Sequence, residues 1–179
     1  MRLRHPNLSA TRRETVAAEA QQPFAAVLGC SDSRVPVEEI FDRGIGDIFV
    51  IRVAGNVAMD PVVIGSAEYA SGHLGTPVIV VLGHTGCGAV KAAISGPPLE
   101  GSIREVQKKI EPVVSLVKKE RPELKGDALT IAVVKANALQ AKQDLLASSP
   151  EITHMAAEGK IRILTAIYDM KTGAVEWIE

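Results

Sequence analysis

The chain has 179 residues, 46% of them hydrophobic, which is length and apolar content enough for one buried core. Its 20 basic and 21 acidic residues leave a formal charge of -1, so no global field draws it to nucleic acid or to an anionic membrane. Aromatic residues make up only 3%, too few for a base-stacking platform.

The longest apolar run, Pro77 to Leu82, is far short of the roughly 20 residues a membrane helix needs. Met1 to Asn7 carries basic residues without the apolar stretch of a secretory signal. A soluble, cytoplasmic protein is therefore expected. Two cysteines do not make a disulfide framework, although a single bridge between them stays open at this point.

In chain order, Thr11 to Ala20 has high helix propensity and a weak apolar face, so residues 1–22 are expected to form a short helical arm that packs on a partner or moves. Pro23 ends the arm. Phe24 to Gly29 is the first expected strand, Val35 to Phe41 a turn or two of helix, and Ile48 to Val53 the second strand. Neither strand alternates, which predicts a parallel sheet covered on both faces. Asp60 caps a helix that begins at Pro61 and runs to about His73. Pro77 to Leu82 is the third strand, followed by a glycine-rich histidine loop and a helix over Cys87 to Ile94.

Three helices follow. Ser102 to Glu120 has Ile103, Val106, Ile110, Val113, Val114 and Val117 on one face and a kink or break expected at Pro112. Asp127 to Ala147 is the second and Pro150 to Gly159 the third. Lys160 to Tyr168 reads as a fourth strand, turned by Thr172-Gly173 into Val175 to Ile178. The fold expected is α/β: a central, mostly parallel sheet of about four parallel strands plus an antiparallel C-terminal edge strand, flanked by helices. Residues 23–179 form its single domain.

Two loops carry the chemistry. Gly29-Cys30-Ser31-Asp32-Ser33-Arg34 and Gly83-His84-Thr85-Gly86-Cys87-Gly88 each follow an apolar strand, at the carboxyl end where open α/β sheets bind ligands. Cys30, His84 and Cys87 offer two sulfurs and one nitrogen, a donor set suited to tetrahedral zinc with its fourth position open. Three ligands and no third cysteine argue for a catalytic site over a structural one. Asp32 and Arg34, two residues apart, point to the same side and can pair as a fork. A phosphate cradle does not fit: no Gly-Lys-Ser/Thr follows the histidine loop, and Gly44-Ile45-Gly46 precedes a strand. A Gly-x-Ser-x-Gly elbow is absent, and His5, His73 and His154 lack ligand spacing.

Taken together, Cys30 to Val35, Gly83 to Gly88, Gly46 to Asn56, Ser66 to Ala70 and Ile167 to Gly173 resemble the β-class carbonic anhydrases from about Gln21 onward. The resemblance implies one Zn2+ per chain on Cys30, His84 and Cys87, with an Asp32-Arg34 dyad orienting the zinc-bound water or hydroxide that hydrates carbon dioxide to bicarbonate. It also implies a substrate pocket lined by Gln21, Phe49, Ala54 and Tyr69 with the backbone of Gly88, and a homodimer or higher homo-oligomer in which Gln21 and the aromatics reach across the interface. Two thiolate ligands predict a higher water pKa than imidazoles give, and activity favouring alkaline pH.

Some bacterial members carry a Trp where Val27 stands here, forming a non-catalytic bicarbonate site with an Arg and a Tyr that match Arg52 and Tyr168. That site is expected to be incomplete, with Asp32 off the metal at neutral pH. Val53 replaces a frequent Asn of the family, and the family's longer arm has only a short counterpart. Two other readings are carried: a carbonyl sulfide or carbon disulfide hydrolase with the same ligands, and a non-catalytic zinc or bicarbonate-binding subunit, against which Asp32 and Arg34 argue.

Overall fold

The structure is a computed structural model describing Arg4 and residues 6–178. The readings made above of Met1 to Leu3 and of His5 fall on residues outside these. Strands β1 (Ala25–Gly29), β2 (Ile48–Arg52), β3 (Val78–His84), β4 (Arg162–Tyr168) and β5 (Val175–Trp177) form one sheet in the order β2-β1-β3-β4-β5. The first four are parallel and β5 is antiparallel to β4, as expected. All five residues of β1 are buried, because a central parallel strand has elements against both its faces.

The chain leaves β1 to form β2 on one side, then returns past it to form β3 on the other. That reversal opens a crevice at the carboxyl ends of β1 and β3. Gly29 pairs with Leu82 across the two strands. The residues just beyond, Cys30 and His84, are therefore brought within a strand spacing of each other, about 4.8 Å. The fold alone explains why two loops distant in sequence meet.

One face of the sheet is packed by α3 (Pro61–Glu68), α4 (Gly88–Ser95), α5 (Ile103–Glu120), α6 (Gly126–Ser148) and α7 (Pro150–Ala157). Asp60 caps α3 as the sequence suggests: its Oδ1 accepts from the amides of Val62 and Val63 at 2.8 and 3.1 Å. Beyond Glu68 the helix changes to a π-helical turn over Tyr69–His73. α5 runs through Pro112 unbroken, with Ile110, Val113, Val114 and Val117 buried. That apolar stripe packs in the same core as Val133, Val134 and Ala138 of α6 and outweighs the hydrogen bond a helical proline forfeits.

The other face is covered far less than the unbroken apolar strands suggest. Among the described residues, α2 (Val37–Ile40) and its flanks pack there with Met170 of the loop after β4, around Val27, Val35, Val80, Leu82 and Ala166. A cavity of about 230 Å³ remains open beside it, lined by Phe24, Val27, Phe41, Arg43, Val80 and Trp177. The arm helix α1 (Ala10–Ala18) buries none of its residues. Its root is tied down by Arg12, which donates to the carbonyl of Ile45 at 3.0 Å and pairs with Asp47 at 3.4 Å.

Candidate metal centre

Cys30 is the first residue after β1, His84 ends β3 rather than sitting in the loop, and Cys87 stands at the N-cap of α4. All three are buried, and their ligand atoms lie within 4.8 Å of one another. Nδ1 of His84 is 3.0 Å from the carbonyl of Thr85, so it carries the proton and donates, leaving Nε2 as the lone-pair side. Nε2 is buried and has no hydrogen-bond partner. A buried polar atom costs about 1–3 kcal/mol when unpaired, so an imidazole nitrogen aimed at two thiols fits a metal ion.

The two sulfurs are not equivalent. The thiol of Cys87 donates to Cys30, and with His84 and the amides of Asp32 and Gly55 it lowers the Cys30 pKa to about 4 against the opposing effect of burial. Both cysteines are free, and Cys87 is pushed the other way, by the neighbouring Cys30 sulfur and by burial. Gly55 reaches Sγ of Cys30 with its amide at 3.3 Å from a left-handed turn, φ +72°. A Cβ there would lie 3.0 Å from Ile110 Cδ1 and 3.2 Å from Ala89 Cβ, so the turn needs glycine twice over.

Asp32 and Arg34 form the fork the spacing suggests. Nε and Nη2 of Arg34 donate to the two carboxylate oxygens at 2.9 and 2.7 Å, and the Arg34 amide adds a third bond at 3.0 Å. The guanidinium holds the Asp32 carboxyl well below the usual carboxylate range. Its Oδ2 stands 4.0 Å from Nε2 of His84.

The proposed pocket residues do not converge within one chain. Ala54 and Gly88 share a cavity of about 200 Å³ with Ala89, Ala92, Leu99 and Val106. Phe49 and Tyr69 pair elsewhere, ring centroids 6.1 Å apart, and His73 stacks on Tyr69 at 5.5 Å. Gln21 lies in a third place, a cleft of about 240 Å³ beside Arg12 and Gly46.

The carbonic anhydrase family model matches residues 25–175. A solved tetrameric β-carbonic anhydrase of Sordaria macrospora superposes with a TM-score of 0.86 at 25% identity, over 93% of this chain and 85% of that one. The chain belongs to the β-class carbonic anhydrase family. Carbonic anhydrase 2 of Mycobacterium tuberculosis is 38% identical over 96% of this chain and 82% of its own length. The carbonic anhydrase of Mycolicibacterium smegmatis is 37% identical over 93% and 86%.

Two groups around this carbonic anhydrase centre escaped the sequence reading. Arg52 donates to the carbonyls of Cys30 and Asp32 at 3.0 and 2.5 Å. Asn137, on α6, donates to the carbonyl of Gly55 at 2.9 Å. Arg52 was singled out only for a family bicarbonate site, and a lone Asn on a helix carries no signal.

Proposed function

We propose that the chain is a carbonic anhydrase in activity as well as in family, catalysing the reversible hydration of carbon dioxide to bicarbonate and a proton. The observation that carries this is the unpartnered Nε2 of His84, buried against two thiols and 4.0 Å from an ionised carboxylate. Cys30, His84 and Cys87 would hold one zinc ion, which supplies an open coordination position and lowers the pKa of a water there toward neutrality, though less than three imidazoles would.

The chain's own residues do the rest. Asp32 is kept ionised by Arg34, so it serves as a hydrogen-bond acceptor at every working pH and orients the nucleophilic water by its Oδ2. The cavity wall of Ala54 and Gly88 is apolar and suits a small uncharged gas. Phe49, Tyr69 and Gln21 complete the pocket from a partner copy, in a homodimer or higher assembly of the kind described for the Sordaria protein. Residues 1–22 act as the arm of that assembly and 23–179 as the enzyme domain, working in the cytoplasm. With Val27 buried in β1, the second bicarbonate site lacks its aromatic wall.

The test is carbon dioxide hydration by the wild type against Asp32→Asn and Cys87→Ala, with zinc content measured for each. Asn at position 32 should keep zinc and lose activity by about a hundredfold or more; Ala at 87 should lose both. Equal turnover by the Asp32 variant would overturn the reading. Faster turnover of carbonyl sulfide or carbon disulfide than of carbon dioxide, at equal concentration, would reassign the substrate.

A further inference from the structure

We infer that Gln107 is a positioning residue that latches the 96–101 loop, so that Leu99 closes the apolar cavity beside the metal site. This deepens the proposed function and rests on its placing carbon dioxide in that cavity.

Gln107 lies on the buried face of α5, in the stripe that also holds Ile110, Val113 and Val114, where an apolar residue would pack without needing partners. It is 1% exposed, and a buried amide is costly unless its polar atoms are bonded. All of them are. Oε1 accepts from the amide of Leu99 at 2.7 Å, while Nε2 donates to the carbonyls of Pro97 at 3.1 Å and Ala92 at 3.4 Å. The side-chain amide fits in this orientation alone, because the Leu99 amide must donate and both carbonyls must accept.

The loop is poorly equipped to hold itself. Pro97 and Pro98 have no amide hydrogen to give, and Gly96 and Gly101 bracket them in left-handed backbone, φ +106° and +69°. Residues 96–101 are all exposed, so the loop takes its position from the buried side chain that grips it.

What the latch places is Leu99, which lines the cavity of about 200 Å³ together with Ala54, Gly88, Ala92, Ile103 and Val106. The cavity adjoins the ligands. Gly88 follows Cys87 in the chain, and a Cβ at Gly55, whose amide reaches Sγ of Cys30, would meet Ala89 Cβ at 3.2 Å and Val106 Cγ1 at 3.6 Å. Leu99 and Ile103, 36% and 42% exposed, stand on the solvent side. With Leu99 swung out, a small gas would lose its apolar contacts there and the space would fill with water.

The experiment is stopped-flow carbon dioxide hydration at pH 7 by the full-length zinc-loaded protein, with KM and kcat separated and zinc content measured for each variant. Gln107→Met keeps length and apolar packing but gives the loop no hydrogen bond. Its KM should rise by about fivefold or more with kcat and zinc unchanged, the pattern of lost ground-state binding. Leu99→Ala removes the wall and leaves the latch, so it should raise KM in the same way. Combining the two should add no more than about twofold to the larger single effect, because the latch acts through Leu99. Gln107→Glu, kept neutral by burial, retains the bond from Leu99 and one donation, so its KM should lie between wild type and the Met variant. Should the Met variant not fold, Gln107→Glu and Leu99→Ala carry the comparison.

Unchanged KM in Leu99→Ala would overturn the inference. Effects that multiply in the double variant, or loss of kcat and zinc in the Gln107 variants, would overturn it equally, since Gln107 would then support α4 and its Cys87 instead of the loop. A zinc-loaded wild type that hydrates no carbon dioxide overturns the proposed function and this inference with it; an active wild type with unaltered variants overturns only the inference.

Discussion

Nε2 of His84 and Oδ2 of Asp32 face each other across 4.0 Å, too far apart for a hydrogen bond and close enough for both to address the same ion and water. Each atom is prepared by a different neighbour: the nitrogen by the Thr85 carbonyl that fixes its tautomer, the oxygen by the Arg34 fork. The first comes from β3 and the second from the loop after β1, so the sheet's switch point sets their separation.

Asp32 should not titrate in the working range. Its folded pKa is depressed below the ordinary value of about 3.9, so the stabilisation from its pair is present above about pH 4 and is lost only as pH falls through the lower folded value. The difference in Tm between wild type and Asp32→Asn should accordingly be flat from about pH 5 to about pH 9, and small because Arg34 is largely in solvent. Calorimetry across that range checks it; a gap that changes near neutrality would assign the titration to Asp32.

Much of this was legible in the sequence because the signals are local. Apolar runs set four strands, Asp60-Pro61 set a helix start, and the two glycine-rich loops after β1 and β3 announced the ligands. What escaped is non-local. His84 belongs to β3 because β4 extends the ladder to pair it with Tyr168, and no feature of the histidine loop itself says so. Arg52 and Asn137 act on backbone carbonyls distant in sequence, which periodicity cannot register. The half-bare sheet face escaped for a related reason: β1 and β3 are apolar on both sides, but among the described residues little besides α2, its flanks and Met170 covers one of them.

Zinc uptake should release about one proton at pH 6, not two. Cys30, lowered to about 4, is already a thiolate there, while Cys87 is held protonated by the adjacent Cys30 thiolate and by burial. Above about pH 4, with Cys87 still protonated, zinc affinity should rise about tenfold per pH unit. Titration calorimetry of the metal-free protein in buffers of different ionisation enthalpy counts the protons directly. Release of two would mean the sulfurs titrate independently.

Gly83→Ala should destabilise the strand that carries His84. A Cβ there would come within 2.8 Å of Ile167 Cδ1 and 3.3 Å of Ala138 Cβ, so the buried Ile167 side chain would have to swing aside in a packed core and α6 give way slightly at Ala138. Overpacking of this kind costs about 1–3 kcal/mol. Urea unfolding measures the loss, and the zinc affinity of the variant should fall with it, because His84 is the next residue along the displaced strand.

Asn137 offers the sharper separation of stability from metal binding. Its amide reaches the carbonyl of Gly55 from α6, and the amide of Gly55 in turn reaches Sγ of Cys30. Gly55 has no side chain with which to brace this peptide, and the space a Cβ would need is taken by Ile110 and Ala89. Asn137→Ala leaves the carbonyl buried without its donor, a cost of about 1–3 kcal/mol on unfolding in urea. Zinc affinity, measured by chelator competition, should drop by about tenfold, since supporting bonds of this kind tune ligand orientation. Asn137→Asp should be worse on both measures, because a carboxylate cannot donate to the carbonyl and adds negative charge behind a thiolate. A stability loss with unchanged zinc affinity in both variants would mean that Asn137 only fastens α6 to the turn, and that the Gly55 amide holds its place on Cys30 without help.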